Sequence, residues 1–293
     1  MHTSIAGGLA KSPERAAALG CTTLQIFSHN PRSWILSDIP EDEARLFRAA
    51  REKLGLDPVF IHACYLINLT SANDAVRERS LWMLGEELRR ADRIGADYVL
   101  VHTGRPEPLP PGRAHSGEGP GYEILVKSLI SVLGRGKKKF RAGLLLENTA
   151  CRAQTLKPLH GAGGALPASI KALSLAAAGS GAAGLCLDTC HAFASGYDIR
   201  TPEGIREAAR QTADVKIRLI HLNDSKGESG SGLDRHEHIG KGKIGLEGFR
   251  GFLGFKAFRD QPLVLETPKK QESDDPMNIE TARTLLANNR SQK

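Results

Sequence analysis

The chain has 293 residues and 40% hydrophobic content, enough to build the core of one large α/β domain or of two small ones. Its formal net charge of +7 favours a polyanionic partner, nucleic acid before an acidic membrane, although many proteins carry such a charge without one. Five cysteines without framework spacing imply no disulfide scaffold, and no run approaches a membrane span. MHTSIAGGLAK lacks a leader's apolar stretch, so a reducing cytoplasm is the expected compartment.

Short apolar runs then alternate with helical patterns. Thr3–Ile5 is predicted as a first strand, and Ser12-Pro13-Glu14 starts a helix through Leu19, with Pro in the first turn. Thr23–Phe27 reads as strand two, Glu41–Leu54 as a helix and Val59–Cys64 as strand three. Asn73–Gly95 carries the clearest helical signal: Leu81, Leu84, Leu88, Ala91 and Ile94 recur at spacings of three and four. Asp97–His102 is strand four, Arg105–Gly121 a long Pro/Gly-rich loop and Tyr122–Leu133 a helix. Lys137-Lys138-Lys139 reads as a solvated loop before strand five, Gly143–Glu147. Ala168–Ala178 is a helix and Leu185–Asp188 strand six; Thr201 caps a helix over Pro202–Ala213. Arg218–Leu222 is strand seven, Ser225–Lys243 a Gly-rich polar loop and Gly248–Leu253 a short helix. Leu263–Glu266 is strand eight and Pro276–Asn288 the last helix. This count, with no dividing linker, predicts a (β/α)8 TIM barrel forming a single domain over residues 1–293. An open doubly wound sheet is the alternative; it would keep strand one away from strand eight.

Polar residues inside parallel strands are costly unless paired or metallated, because such strands are buried on both faces. His62, His102, Glu147, Asp188, His221 and Glu266 each end an apolar run, which is where barrel active sites are built. His191 lies three residues past Asp188, so both can face the mouth, and Asp234 and His236 lie two apart in an extended loop, so they can grip one ion. Imidazole mixed with carboxylate suits zinc, or less strictly manganese and iron. One zinc takes three or four ligands, so nine candidates suggest two or three ions. Any one of these histidines alone is better read as a hydrogen-bonded structural residue; nine at barrel-compatible positions are not. Cys186 and Cys190 are read as small buried hydrophobes rather than thiolate ligands.

GLCLDTCH (Gly184–His191) followed by AFASGYD resembles the endonuclease IV family of abasic-site DNA endonucleases. HACYLINL (His62–Leu69), LENTA (Leu146–Ala150), HLNDSK (His221–Lys226) and DRHEHIGKG (Asp234–Gly242) are similar to that family's other signatures. They run in family order from HTSIAGG to LETP (Leu265–Pro268), nearly the whole chain. The resemblance implies a (β/α)8 barrel with three zinc ions, manganese being possible at one site. It also implies a hydrolase of base-excision repair that cleaves duplex DNA on the 5′ side of an abasic site and leaves a 3′-hydroxyl. His62 and His102 would share one ion with Glu147, which bridges to a second held by Asp188, His221 and Glu266. His191, Asp234 and His236 would hold the third. Three zinc ions would outweigh the four carboxylates by about two positive charges, suited to a phosphate. A bridging water with lowered pKa would attack as hydroxide, with Glu147 orienting or deprotonating it. Arg32, in HNPRSW, and Tyr65 with Leu66 would enter the DNA at the lesion. Such enzymes are usually monomeric, and no obligate protein partner and no membrane are implied.

Several positions depart from the family pattern. Thr70 replaces a small residue, Gly232 a basic one ahead of DRH, and CRAQTL follows LENTA where Gly-Gln-Gly is usual; Arg105–Gly121 is unusually Pro-rich, and Met1 falls almost on strand one. None removes a candidate ligand. His2 is expected to line the barrel, His238 to be solvated or to support a ligand, and His29, His115 and His160 to lie at the surface. Asn148 and Asn223 flank ligands and could orient them. Two other classes fit less well. A sugar isomerase or epimerase on a related barrel has no use for His62 and His102 together with Asp234 and His236, and a metal-stabilised DNA-binding protein has no use for Glu147.

Overall fold

In the computed structural model, residues 1–104, 120–134, 139–150 and 170–290 are described. The elements in chain order are α1 (Lys11–Ala18), β1 (Leu24–Phe27), α2 (Glu41–Lys53), β2 (Val59–His62), α3 (Asp74–Ile94), β3 (Tyr98–His102), α4 (Pro120–Leu133) and β4 (Gly143–Glu147). They continue with α5 (Ile170–Ser180), β5 (Gly184–Asp188), α6 (Thr189–Ala194), α7 (Pro202–Gln211), β6 (Ile217–His221), β7 (Asp224–Ser225), β8 (His236–Glu237), α8 (Gly245–Gly254), β9 (Leu263–Val264) and α9 (Asp274–Arg290). Seven strands form one parallel sheet in the order β1-β2-β3-β4-β5-β6-β9.

The N-terminal residues occupy the eighth place of a TIM barrel. His2 forms a parallel bridge with Gln25 of β1, and its N–H donates to the Leu265 carbonyl beyond β9 at 3.2 Å. The predicted first strand, Thr3–Ile5, is therefore displaced to the residues around His2. The cause is the turn at Ile5–Gly8, where Gly7 and Gly8 adopt φ 81° and 112° and lead the chain into α1. His2 does line the barrel.

Inward-facing residues alternate with outward-facing ones along each strand. Phe60, Leu100, Leu145, Cys186, Leu219 and Val264 form one buried cluster inside the ring. Two residues further along their strands stand His62, His102, Glu147, Asp188, His221 and Glu266. The apolar layer is thus the floor on which the polar layer rests, and period two puts both on the inside. Two larger apolar clusters fill the space between sheet and helices, one around α1 to α4, the other around α7 to α9.

Local chemistry explains several boundaries. Asn73 caps α3 by accepting from the Val76 N–H at 3.2 Å, and Gly95 ends it at φ 74°. Thr201 caps α7 from the Gly204 N–H, as the sequence predicts. Two elements lie where none is predicted: the short helix α6, and the hairpin of β7 with β8, which starts at Asp224 and runs into the loop Ser225–Lys243. His29 is buried, not superficial: its Nε2 lies 2.9 Å from Glu87 Oε1 on α3. His115, His160, Lys137, Lys138, the segment CRAQTL and residues 105–119 of the long loop lie outside the described residues.

Candidate metal centre

All nine residues singled out from sequence as metal ligands converge at the C-terminal mouth of the barrel. Glu147, at the end of β4, is the hub and is fully buried. Its Oε2 lies 3.5 Å from His62 Nε2 and 3.5 Å from His102 Nε2. Its Oε1 lies 2.9 Å from His221 Nδ1, which is 3.4 Å from Glu266 Oε2 and 3.8 Å from Asp188 Oδ2. On the outer side, Asp234 Oδ1 is 3.1 Å from His191 Nε2 and 3.7 Å from His236 Nε2. Within each of these three groups one atom per residue lies within 4.8 Å of the others. Ligands on a tetrahedral zinc stand about 3.4 Å apart, given bonds of about 2.0–2.2 Å.

The polar atoms at these points carry a second signature. Glu147 Oε2, His191 Nε2 and His236 Nε2 are buried with no hydrogen-bond partner, the His191–Asp234 approach being an ion pair rather than an aligned bond. Each such atom costs about 1–3 kcal/mol, and cations at the centres of the groups would satisfy all three. The donors fit divalent metal ions.

Burial works against charge on His191, but Asp188, Asp234 and Glu147 hold its pKa up at about 10. Burial likewise opposes charge on His62 and His221. The Glu147 carboxylate outweighs it at His62; Cys186, Glu266 and Glu147 do so at His221. His102 goes the other way, down to about 4, because burial there exceeds the pull of Glu147. Burial would raise Glu147 and Glu266, yet the surrounding histidines hold both well below the usual carboxylate range. Asp234 falls to about 2 beside His191. Cys186 and Cys190 also approach donor groups, but burial pushes Cys186 to about 12 and Cys190 upward.

Helix α6 is part of this construction. Asp188 Oδ1 accepts the His191 N–H at 2.7 Å as its N-cap, so one carboxylate both starts the helix and fixes His191. Asn148 holds the Asp188 backbone through bonds of 2.7 and 3.0 Å, and Asn223 Nδ2 donates to Asp188 Oδ2 at 2.6 Å. His238 belongs to none of the three groups; its Nδ1 lies 3.0 Å from Asn278 Nδ2. Gly232 has φ 69° and donates to the Ala194 carbonyl, a conformation that a basic side chain would strain.

Tyr65 stands 53% exposed beside the donors, its ring edge-on to His62 at 5.6 Å and to Phe27 at 5.2 Å. The Tyr65 N–H donates to the Pro31 carbonyl at 3.0 Å, so the exposed Arg32 lies on the adjoining loop. Leu66 is half-buried against the core. The residue that sequence reading missed is Gln25, fully buried between His221 and Glu266. Its signal was available: an amide inside LQIF, a strand buried on both faces.

Fold and donors together define a TIM barrel whose mouth carries three groups of side chains that could hold metal ions. The xylose isomerase-like TIM barrel profile matches residues 13–288. "Probable endonuclease 4" of Methanoculleus marisnigri is 39% identical over 294 residues, covering 97% of each chain. The crystal structure of endonuclease IV from Thermus thermophilus superposes with a TM-score of 0.79 at 35% identity over 98% of each chain. A D-tagatose 3-epimerase-like structure, at 15% identity and TM-score 0.65, shares the fold alone. The chain belongs to the xylose isomerase-like TIM-barrel family and, within it, to the endonuclease IV family; it is a nuclease-type hydrolase.

Proposed function

We propose that this protein is a zinc-dependent endonuclease of base-excision repair that hydrolyses the phosphodiester 5′ to an abasic site in duplex DNA and leaves a 3′-hydroxyl. The observation that carries the reading is the set of nine donors gathered in three groups around Glu147. His62, His102 and Glu147 would hold one ion, Glu147, Asp188, His221 and Glu266 a second, and His191, Asp234 and His236 a third. Bound zinc supplies Lewis acidity toward a phosphate and lowers the pKa of a coordinated water.

The chain's own residues account for the rest. Glu147, ionised and fully buried, faces two groups with its two oxygens and can accept a proton from water held between them. Tyr65 and Leu66 form an apolar and aromatic rim beside the donors, shaped to fill a duplex where a base is missing. Arg32, exposed on the adjoining loop, would enter the DNA at the lesion with them. An abasic nucleotide has no base to unstack, so turning it toward the mouth costs less than for an intact one. The net charge of +7 favours the polyanion.

The test uses purified protein, without added metal, on a duplex carrying one stable abasic-site analogue, beside an undamaged duplex. Cleavage at the lesion alone, abolished by strong chelation and restored by zinc, is the expected result. Fully zinc-loaded protein that leaves the lesion intact sinks the reading; isomerisation or epimerisation of a sugar by that same protein would move it to the other branch of the barrel family.

A further inference from the structure

Five histidines contribute to the donor groups, and they do not all face them with the same nitrogen. His62, His102, His191 and His236 turn Nε2 toward the carboxylates. For three of these the other nitrogen, Nδ1, lies against a backbone carbonyl: Ala63 at 2.7 Å, Asn148 at 3.0 Å and Glu266 at 3.0 Å. A carbonyl only accepts, so Nδ1 must carry the proton and Nε2 keeps its lone pair for the site. His221 is reversed. Its Nδ1 faces Glu147, Glu266 and Asp188, and its Nε2 lies 2.7 Å from Gln25 Oε1.

Here the acceptor is a side-chain amide, which could present either its oxygen or its nitrogen. Glu266 decides between them. Gln25 Nε2 donates to Glu266 Oε1 at 2.6 Å and lies 2.9 Å from His2 Nδ1, so the amide nitrogen is turned to that side. The amide nitrogen must therefore face Glu266, which leaves the oxygen for His221 and requires a proton on His221 Nε2. Gln25 is fully buried on β1, across the His2 bridge from β9 and β6. His2 Nδ1, 3.1 Å from the same Glu266 oxygen, closes the cluster.

We propose that Gln25 is a positioning residue that selects Nδ1 of His221 as its metal-facing atom and ties that ring to the Glu266 carboxylate. The inference rests on the zinc-centre reading above. It makes the middle group the one whose ligand geometry depends on a replaceable side chain, whereas His62, His191 and His236 are set by backbone. Gln25→Leu keeps the volume but removes the contacts to His221, Glu266 and His2. Gln25→Glu keeps an oxygen for His221 Nε2–H and puts a second carboxylate against Glu266.

The experiment reads the ring nitrogens of 15N-histidine protein by NMR in the zinc-loaded state, with zinc content and retention against a chelator measured in parallel. Wild type is expected to hold zinc with His221 ligating through Nδ1 and protonated at Nε2, and with the other four histidines ligating through Nε2. Gln25→Leu should lose the single His221 signature and release one zinc about 10- to 100-fold more readily. Gln25→Glu should keep the Nδ1 signature while weakening the same zinc. A merely structural Gln25 would lower thermal stability and leave ring signature and zinc retention unchanged, and that result overturns the proposal. Wild type with zinc on Nε2 of His221 overturns it alone; wild type that takes up no zinc overturns the zinc-centre reading and this inference together.

Discussion

Glu147 shows how much one side chain carries. It ends β4, two residues past Leu145 of the barrel floor, and its two oxygens point to different donor groups. Replacing it by Gln keeps shape and packing but removes the charge that balances His62 and His221. Glu147→Gln should therefore fold with a wild-type circular dichroism spectrum while losing at least about 1000-fold in lesion cleavage, as expected when both metal binding and proton transfer are removed. Near-normal turnover would refute its role. Tyr65 makes a different kind of contribution: it is half-exposed and reaches past His62 rather than into the donors. Tyr65→Ala and Arg32→Ala should weaken binding to abasic duplex by about 1–3 kcal/mol each. Zinc content should not change, and equal, negligible losses on abasic and intact duplex would remove both from the interface. The ligands themselves are legible in sequence because a charged residue in an apolar parallel strand needs a reason. Gln25 is less legible because a neutral amide is a weaker anomaly, and its partners lie 23, 196 and 241 residues away.

At the scale of elements, sequence periodicity located the long helices and strands to within a few residues. It failed where tertiary contacts decide. Helix α6 is too short for any period and exists because Asp188 caps it, and the β7–β8 hairpin depends on pairing across a polar loop. His29 looked superficial because nothing local hides it. In the fold it meets α3, where Glu87 accepts from Ser28 Oγ at 2.6 Å and faces His29, while Arg90 Nε donates to Ser28 Oγ at 2.8 Å. This buried network anchors the start of the loop that carries Arg32. Glu87→Leu would leave Ser28 and His29 without their acceptor, and unfolding in urea should register a loss on the order of 3 kcal/mol. Because the loop starts at Ser28, binding to abasic duplex should fall as well, with zinc content intact. A variant as stable as wild type would mean that the network carries no such load.

For the molecule as a whole, the division of labour between floor and mouth predicts how it responds to metal removal. The floor of Phe60, Leu100, Leu145, Cys186, Leu219 and Val264, and the two outer clusters, bury their apolar surface without any ion. The ring is closed by backbone bonds at His2, again independent of metal. The mouth is different: without zinc it must keep Glu147, Asp188 and Glu266 buried or partly buried among histidines, with four polar atoms of the ligand residues lacking a hydrogen bond. Metal-free protein should therefore remain folded at 25 °C yet melt earlier. Zinc at about 1000 times its dissociation constant adds roughly 4 kcal/mol per site that binds only the folded state. In a domain of 293 residues each kcal/mol is worth about 1.5–2 °C, so one site alone should shift the midpoint by roughly 6–8 °C. Calorimetry before and after strong chelation, and again after zinc is restored, measures it. Loss of all cooperative structure on chelation would mean that the ions build the fold, as in small zinc domains; an unchanged midpoint would mean that the donor groups hold no tightly bound ion.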